Sequence, residues 1–177
     1  KGRVAVTAFA SNVARLDSVA RAAAANGRKV ALVGRSMHKI VAAAKESGYL
    51  ADLPPMLDAA EAAELPVRKV LYLETGSQGE PRAALGRIAD GNHREVQLGK
   101  GDTVIFSSRI IPGNDLPIYE LHNKLAALVV EVAAAACGSC VMGAVSFGAV
   151  RSLKRLPQAH LATCPAAVAR RSCAAAG

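Results

Sequence analysis

Short apolar runs rich in β-branched residues alternate with amphipathic segments along the first 126 residues, and this alternation constrains the fold most tightly. Val4 to Phe9 reads as a strand, and Ser11 or Asn12 can cap a helix that places Val13, Leu16, Val19 and Ala20 on one face. Asn26-Gly27 closes that helix, and Lys29 to Val33 is the next strand. Ser36 opens a second helix, with Ile40, Val41 and Ala44 on one face, which stops at Gly48. A Pro-punctuated connection follows from Leu50 to Pro66, with a short helical piece around Asp58 to Leu65. Lys69 to Glu74 and Asp102 to Ser107 read as strands, each followed by a helix, at Pro81 to Ala89 and at Pro117 to about Leu128. Strand and helix alternating at this pace specify an α/β fold, a parallel three-layer Rossmann-like sheet with helices on both faces.

Composition supports a globular body. Apolar residues are 51% and charged residues 20%, while aromatics are only 3%, so the core must be built from Ala, Val, Leu and Ile. No uninterrupted apolar run approaches the ~20 residues that cross a bilayer, so no membrane partner is expected. The first residues, Lys1 to Val6, carry no Met and no signal-peptide pattern, which reads as a chain begun inside a fold and located in the cytoplasm. The net charge of +8 favours polyanionic partners.

Residues 128–177 break the pattern. They hold five of the 22 basic residues and one of the 14 acids, which is half of the net charge, together with all four Cys. Cys137-Gly138-Ser139-Cys140 has the spacing of half a zinc or redox site. However, Cys164 and Cys173 lie nine apart and no His stands at ligand spacing, so these Cys are read as incidental. A disulfide framework does not suit a cytosolic chain. The loss of period past about residue 127 reads as an atypical, irregular Ala/Cys-rich tail, translated in another frame or fused from elsewhere.

Ligands of open parallel sheets bind beyond the carboxyl ends of the strands. Each of the four expected strands runs into a polar or glycine-containing turn: Phe9-Ala10-Ser11-Asn12, Gly34-Arg35-Ser36-Met37, Thr75-Gly76-Ser77-Gln78-Gly79-Glu80-Pro81, and Ser107-Ser108-Arg109 with Ile111-Pro112-Gly113-Asn114-Asp115. Glycines admit close backbone approach, hydroxyls and helix-start N–H groups offer donors, and the Arg35 and Arg109 forks match phosphate oxygens. The expected ligand of this edge is a nucleotide or a nucleic acid. No Gly-x-Gly-x-x-Gly follows the first strand and no Gly-Lys-Ser/Thr loop is present, which counts against a small-molecule nucleotide domain.

These four turns, with Arg15, Gly48-Tyr49-Leu50, Ala84 to Ala89 and Gly101 to Ser108, resemble the successive motifs of bacterial ribonuclease J over residues 4 to about 126. The resemblance implies the β-CASP insert of a metallo-β-lactamase nuclease, with residues 1–127 as that domain. The family it implies is a zinc-dependent RNA hydrolase acting as endonuclease and 5′–3′ exonuclease in RNA processing and decay, rRNA processing included. Implied partners are single-stranded, 5′-monophosphorylated RNA, a metallo-β-lactamase domain, and further copies of the full-length enzyme in a homodimer or homotetramer. Ser11, Asn12, Arg35, Ser36, Ser77, Gln78 and Arg109 are the expected RNA or phosphate contacts.

Neither the His-x-His-x-Asp-His motif nor the His-x-Ser-Gly-His segment of the family occurs in the chain. Asp115 stands where the family more usually has Glu. None of His38, His93, His122 and His160 is spaced for a paired site, and His93 and His122 read as structural. No catalytic residue, no metal ligand and no bound zinc are therefore expected in this chain, and hydrolysis by it alone is not expected. The remaining alternatives are a stand-alone RNA-binding module without catalysis and a related β-CASP nuclease acting on DNA or on RNA 3′ ends.

Overall fold

A computed structural model describes residues 2–134. Its strands are β1 (Val4–Thr7), β2 (Lys29–Val33), β3 (Val70–Glu74), β4 (Thr103–Phe106) and β5 (Glu131–Ala134). Its α-helices are α1 (Val13–Ala25), α2 (Arg35–Glu46), α3 (Ala59–Ala63), α4 (Ala84–Ala89) and α5 (Asp115–Ala127). All strand pairs are parallel, in the order β2-β3-β1-β4-β5.

Period-two alternation sends the strand side chains into two cores. Val4, Val6, Leu32, Leu71, Leu73 and Ile105 pack with α1 and α2 through Leu16, Val19, Met37 and Val41. Ala5, Ala31, Tyr72, Val104 and Phe106 pack with α3, α4 and α5 through Ala62, Leu85, Ile88, Leu121 and Leu125. Buried Ala20, Ala22 and Ala23 let α1 lie close to the sheet, which is how a core so poor in aromatics stays filled. Outside β2, Leu57 donates to the Val30 carbonyl and accepts from Leu32 N–H, both at 2.9 Å, which covers part of that edge.

The expected α/β architecture stands, with local differences. Asn12, not Ser11, caps α1, its side chain accepting from Arg15 N–H. The second helix starts at Arg35 behind Gly34, not at Ser36. Gly34 sits at φ +103°, which allows the sharp departure from β2 without a capping side chain. Pro81 to Ala83 form a turn, so α4 starts three residues later than its pattern suggests. A fifth strand, β5, pairs with β4 in the stretch where no period was legible. The remainder of the expected tail, with Cys137, Cys140, Cys164, Cys173 and His160, lies outside the described residues. No helix among the described residues is long and apolar enough to cross a membrane.

Candidate nucleic-acid interface

Parallel pairing puts every strand's carboxyl end at one edge. The strand order then ranks the turns there as Gly34 to Ser36, Thr75 to Pro81, Phe9 to Asn12, and Ser107 to Asn114. β1 leaves this edge toward α1 on one face, whereas its neighbours β3 and β4 leave toward α4 and α5 on the other. Connections that diverge in this way open a crevice at strand ends.

Gln78 spans that crevice. Its Nε2 donates to the Arg109 carbonyl at 2.9 Å and to Ser108 Oγ at 3.3 Å. Its Oε1 accepts from Ile111 N–H at 2.9 Å and from Asn114 Nδ2 at 3.3 Å. The side chain therefore ties the turn after β3 to the turn after β4, across the end of the intervening β1. With the residue only 5% exposed and both ends of its amide committed, Gln78 braces the edge and offers no free group to a ligand. The brace also needs Gly79, at φ +78°, where an added Cβ would lie 2.5 Å from the Pro117 carbonyl carbon. Ser77 is buried as well.

The other expected residues remain outward. Ser11, Asn12, Arg35, Ser36 and Arg109 are exposed. Asn12 Oδ1 is committed to capping α1, and no ion pair of the described residues engages Arg35 or Arg109. Phe9, Ile110 and Ile111 are 36%, 43% and 47% exposed beside these polar groups, so the edge presents apolar faces together with cations. The structure does not gather the seven residues into one pocket. Arg35 and Ser36 instead line a separate recess beyond β2 and β3, with Arg82, Arg87 and His93.

Beneath the turns lies a feature that the sequence did not reveal. The carboxyl ends of β3, β1 and β4 carry Glu74, Thr7 and Ser107, all buried, and neither Glu74 carboxylate oxygen nor either hydroxyl has a hydrogen-bond partner among the described residues. Pairing sets Thr7 beside Glu74 on one side and beside Phe106 on the other. Glu74 is 0% exposed, and burial pushes its carboxyl up to about 8. His122 packs edge-on against Phe106 with ring centroids 4.5 Å apart, and burial holds its imidazole below the ordinary value. Its Nε2 likewise has no partner. Among the described residues no group of three or more His, Cys, Asp or Glu is placed to hold a metal ion.

Comparison with known proteins matches residues 1–125 to the family model "Ribonuclease J, beta-CASP domain". The chain belongs to the ribonuclease J β-CASP family. A ribonuclease J of Sinorhizobium meliloti is 48% identical over 125 residues, covering 71% of this chain and 22% of that protein. A ribonuclease J of Mycolicibacterium smegmatis is 44% identical over 133 residues, covering 75% and 24% respectively. A ribonuclease J 1 of Streptococcus pyogenes is 46% identical over 133 residues, covering 74% and 24%. The chain thus spans less than a quarter of the length of these relatives, and the match falls on the α/β body.

Proposed function

We propose that this domain forms an RNA-gripping wall of a ribonuclease J-type nuclease in the cytoplasm, one that cleaves internally and from 5′-monophosphate ends. The carboxyl edge of the sheet supports this reading. There a braced crevice carries exposed Arg109 and Ser11 beside Phe9, with Arg35 and Ser36 further along, a mixture suited to phosphate oxygens and stacked bases. Hydrolysis, and the zinc that the family's chemistry uses, are assigned to a metallo-β-lactamase domain beyond the described residues. The role here is to hold and orient single-stranded RNA.

Fluorescence anisotropy with a 5′-phosphorylated single-stranded RNA tests this. Arg109→Ala should weaken binding several-fold and flatten the log-affinity against log-salt slope by about one phosphate's worth. A 5′-hydroxyl RNA should bind less well. Equal affinity and equal salt slope in Arg109→Ala and the parent chain would remove the edge from consideration.

A further inference from the structure

The recess beyond β2 and β3 encloses about 590 Å³, a size within the roughly 300–1,000 Å³ of small-molecule sites. Arg35 and Ser36 enter it from the start of α2, Arg82 and Arg87 from the turn before α4 and from α4 itself, and His93 and Glu95 from the loop that follows. Among the described residues no ion pair engages any of the three guanidinium groups. Arg3–Asp102, Arg21–Asp17 and Lys124–Asp90 are ion pairs of the described residues, and none of them lies in this recess.

Three acids, Asp58, Glu80 and Glu95, line the recess as well and equal the arginines in number, but no ion pair of the described residues joins them to these guanidinium groups. Asp58 accepts from Glu61 N–H to cap α3, and Glu80 accepts from Gln78 N–H. Glu95 is left as the one carboxylate without such a partner. The start of α2 adds donors, because Gly34 provides no side-chain cap. His93 Nδ1 accepts from Glu95 N–H at 3.4 Å and from Val96 N–H at 3.2 Å, which puts the imidazole proton on Nε2 as a further donor. Burial, followed by the nearby Arg87 charge, holds His93 below its ordinary value and hence neutral. Three forked cations around one recess of this size match an anion with several oxygens, and Glu95 suits a ribose hydroxyl or a base amino group of the same molecule.

We propose that this recess is a nucleotide site in which Arg35, Arg82 and Arg87 hold the phosphate, separate from the crevice braced by Gln78. It extends the reading of the edge and does not depend on it. The shared chemistry is a nucleotide phosphate, supplied either by a free mononucleotide or by a nucleotide within an RNA strand.

The test is calorimetric titration of the whole chain with AMP, adenosine and inorganic phosphate, beside anisotropy with a short single-stranded RNA. Arg82→Gln, Arg87→Gln and Arg109→Gln are compared, all exposed positions whose far-UV circular dichroism should match the parent. AMP should saturate one site, adenosine should fail to bind, and Arg82→Gln or Arg87→Gln should each weaken AMP about tenfold, the worth of one charge-assisted contact, with Arg109→Gln neutral. If AMP does not bind but RNA affinity falls in the Arg82 and Arg87 variants, the site stands and its source is the strand. If neither ligand responds to Arg82 or Arg87, the proposal is overturned, whatever Arg109 does. RNA binding that ignores Arg109 while AMP binding follows Arg82 would sink the edge reading and leave the recess in place.

Discussion

The two ends of the same parallel sheet treat buried polar groups in opposite ways. At the amino-terminal edge, buried Arg28 donates to the carbonyls of Gly2 and Val70, the latter at 2.8 Å. Buried Asp102 accepts from Arg3 N–H at 2.7 Å and Gly99 N–H at 3.1 Å, with the Arg3 guanidinium 3.5 Å away. At the carboxyl edge, Thr7, Glu74 and Ser107 are equally buried and have no hydrogen-bond partner among the described residues, below turns where no ion pair of the described residues engages Arg35 or Arg109. The amino-terminal edge is built to close the fold. The carboxyl edge gives up that satisfaction, the pattern expected where a protein keeps polar groups for function.

Substitutions can break or sharpen this contrast. The largest effect is expected at Glu74, and it is opposite in sign to the rest. Its carboxyl titrates at about 8 when folded, against 4.5 ordinarily, so its contribution to stability is intact below about pH 4.5 and is lost as the pH rises through 8. Between pH 5 and 9 the parent should lose roughly 4 kcal/mol more than Glu74→Gln, measured by urea unfolding across that range. Matching pH profiles for the two proteins would show Glu74 partnered in solution and the contrast lost.

Asp102→Ala is next. Removing this carboxylate strands two backbone N–H groups and the Arg3 cation, at a cost of about 2–4 kcal/mol. A loss below about 0.5 kcal/mol, typical of a surface change, would contradict a closing role for that edge. The smallest of the three effects is expected at Gln78, the well-partnered exception at the carboxyl edge. Gln78→Ala should cost about 2 kcal/mol and should loosen the turn from Ser108 to Asn114, seen as faster amide exchange at Ile111. Unchanged exchange there would mean that the brace does not set the crevice.

Much of the fold was legible because its cause is local. Lys29 to Val33 is a short, nearly continuous apolar run bounded by Gly27 and Gly34, and the strand occupies those residues. The start of α2 was misplaced because Ser36 resembles a cap, while the chain turns on the positive φ of Gly34. β5 was missed because Glu131-Val132-Ala133-Ala134 has little strand character of its own and acquires it by pairing with β4. The outward turns could be read as an edge because parallel topology requires it. The brace could not be read, since it joins Gln78 to groups about 30 residues further on. Nor could the isolation of Glu74 be read, because a Glu that ends a strand is ordinarily solvated and only tertiary closure buries this one. Arg82 and Arg87 fell in a stretch read as an ordinary helix, and their convergence with Arg35 depends on β2 and β3 being neighbours.

The claim that the carboxyl edge is the functional one is tested most directly by mapping amide chemical shifts of the chain on titration with single-stranded RNA. Perturbations should concentrate at residues 9–12, 34–36 and 107–114, with the amino-terminal edge around Arg28 and Asp102 unmoved. Perturbations centred on that amino-terminal edge, or on the outer faces of α1 and α2, would contradict it.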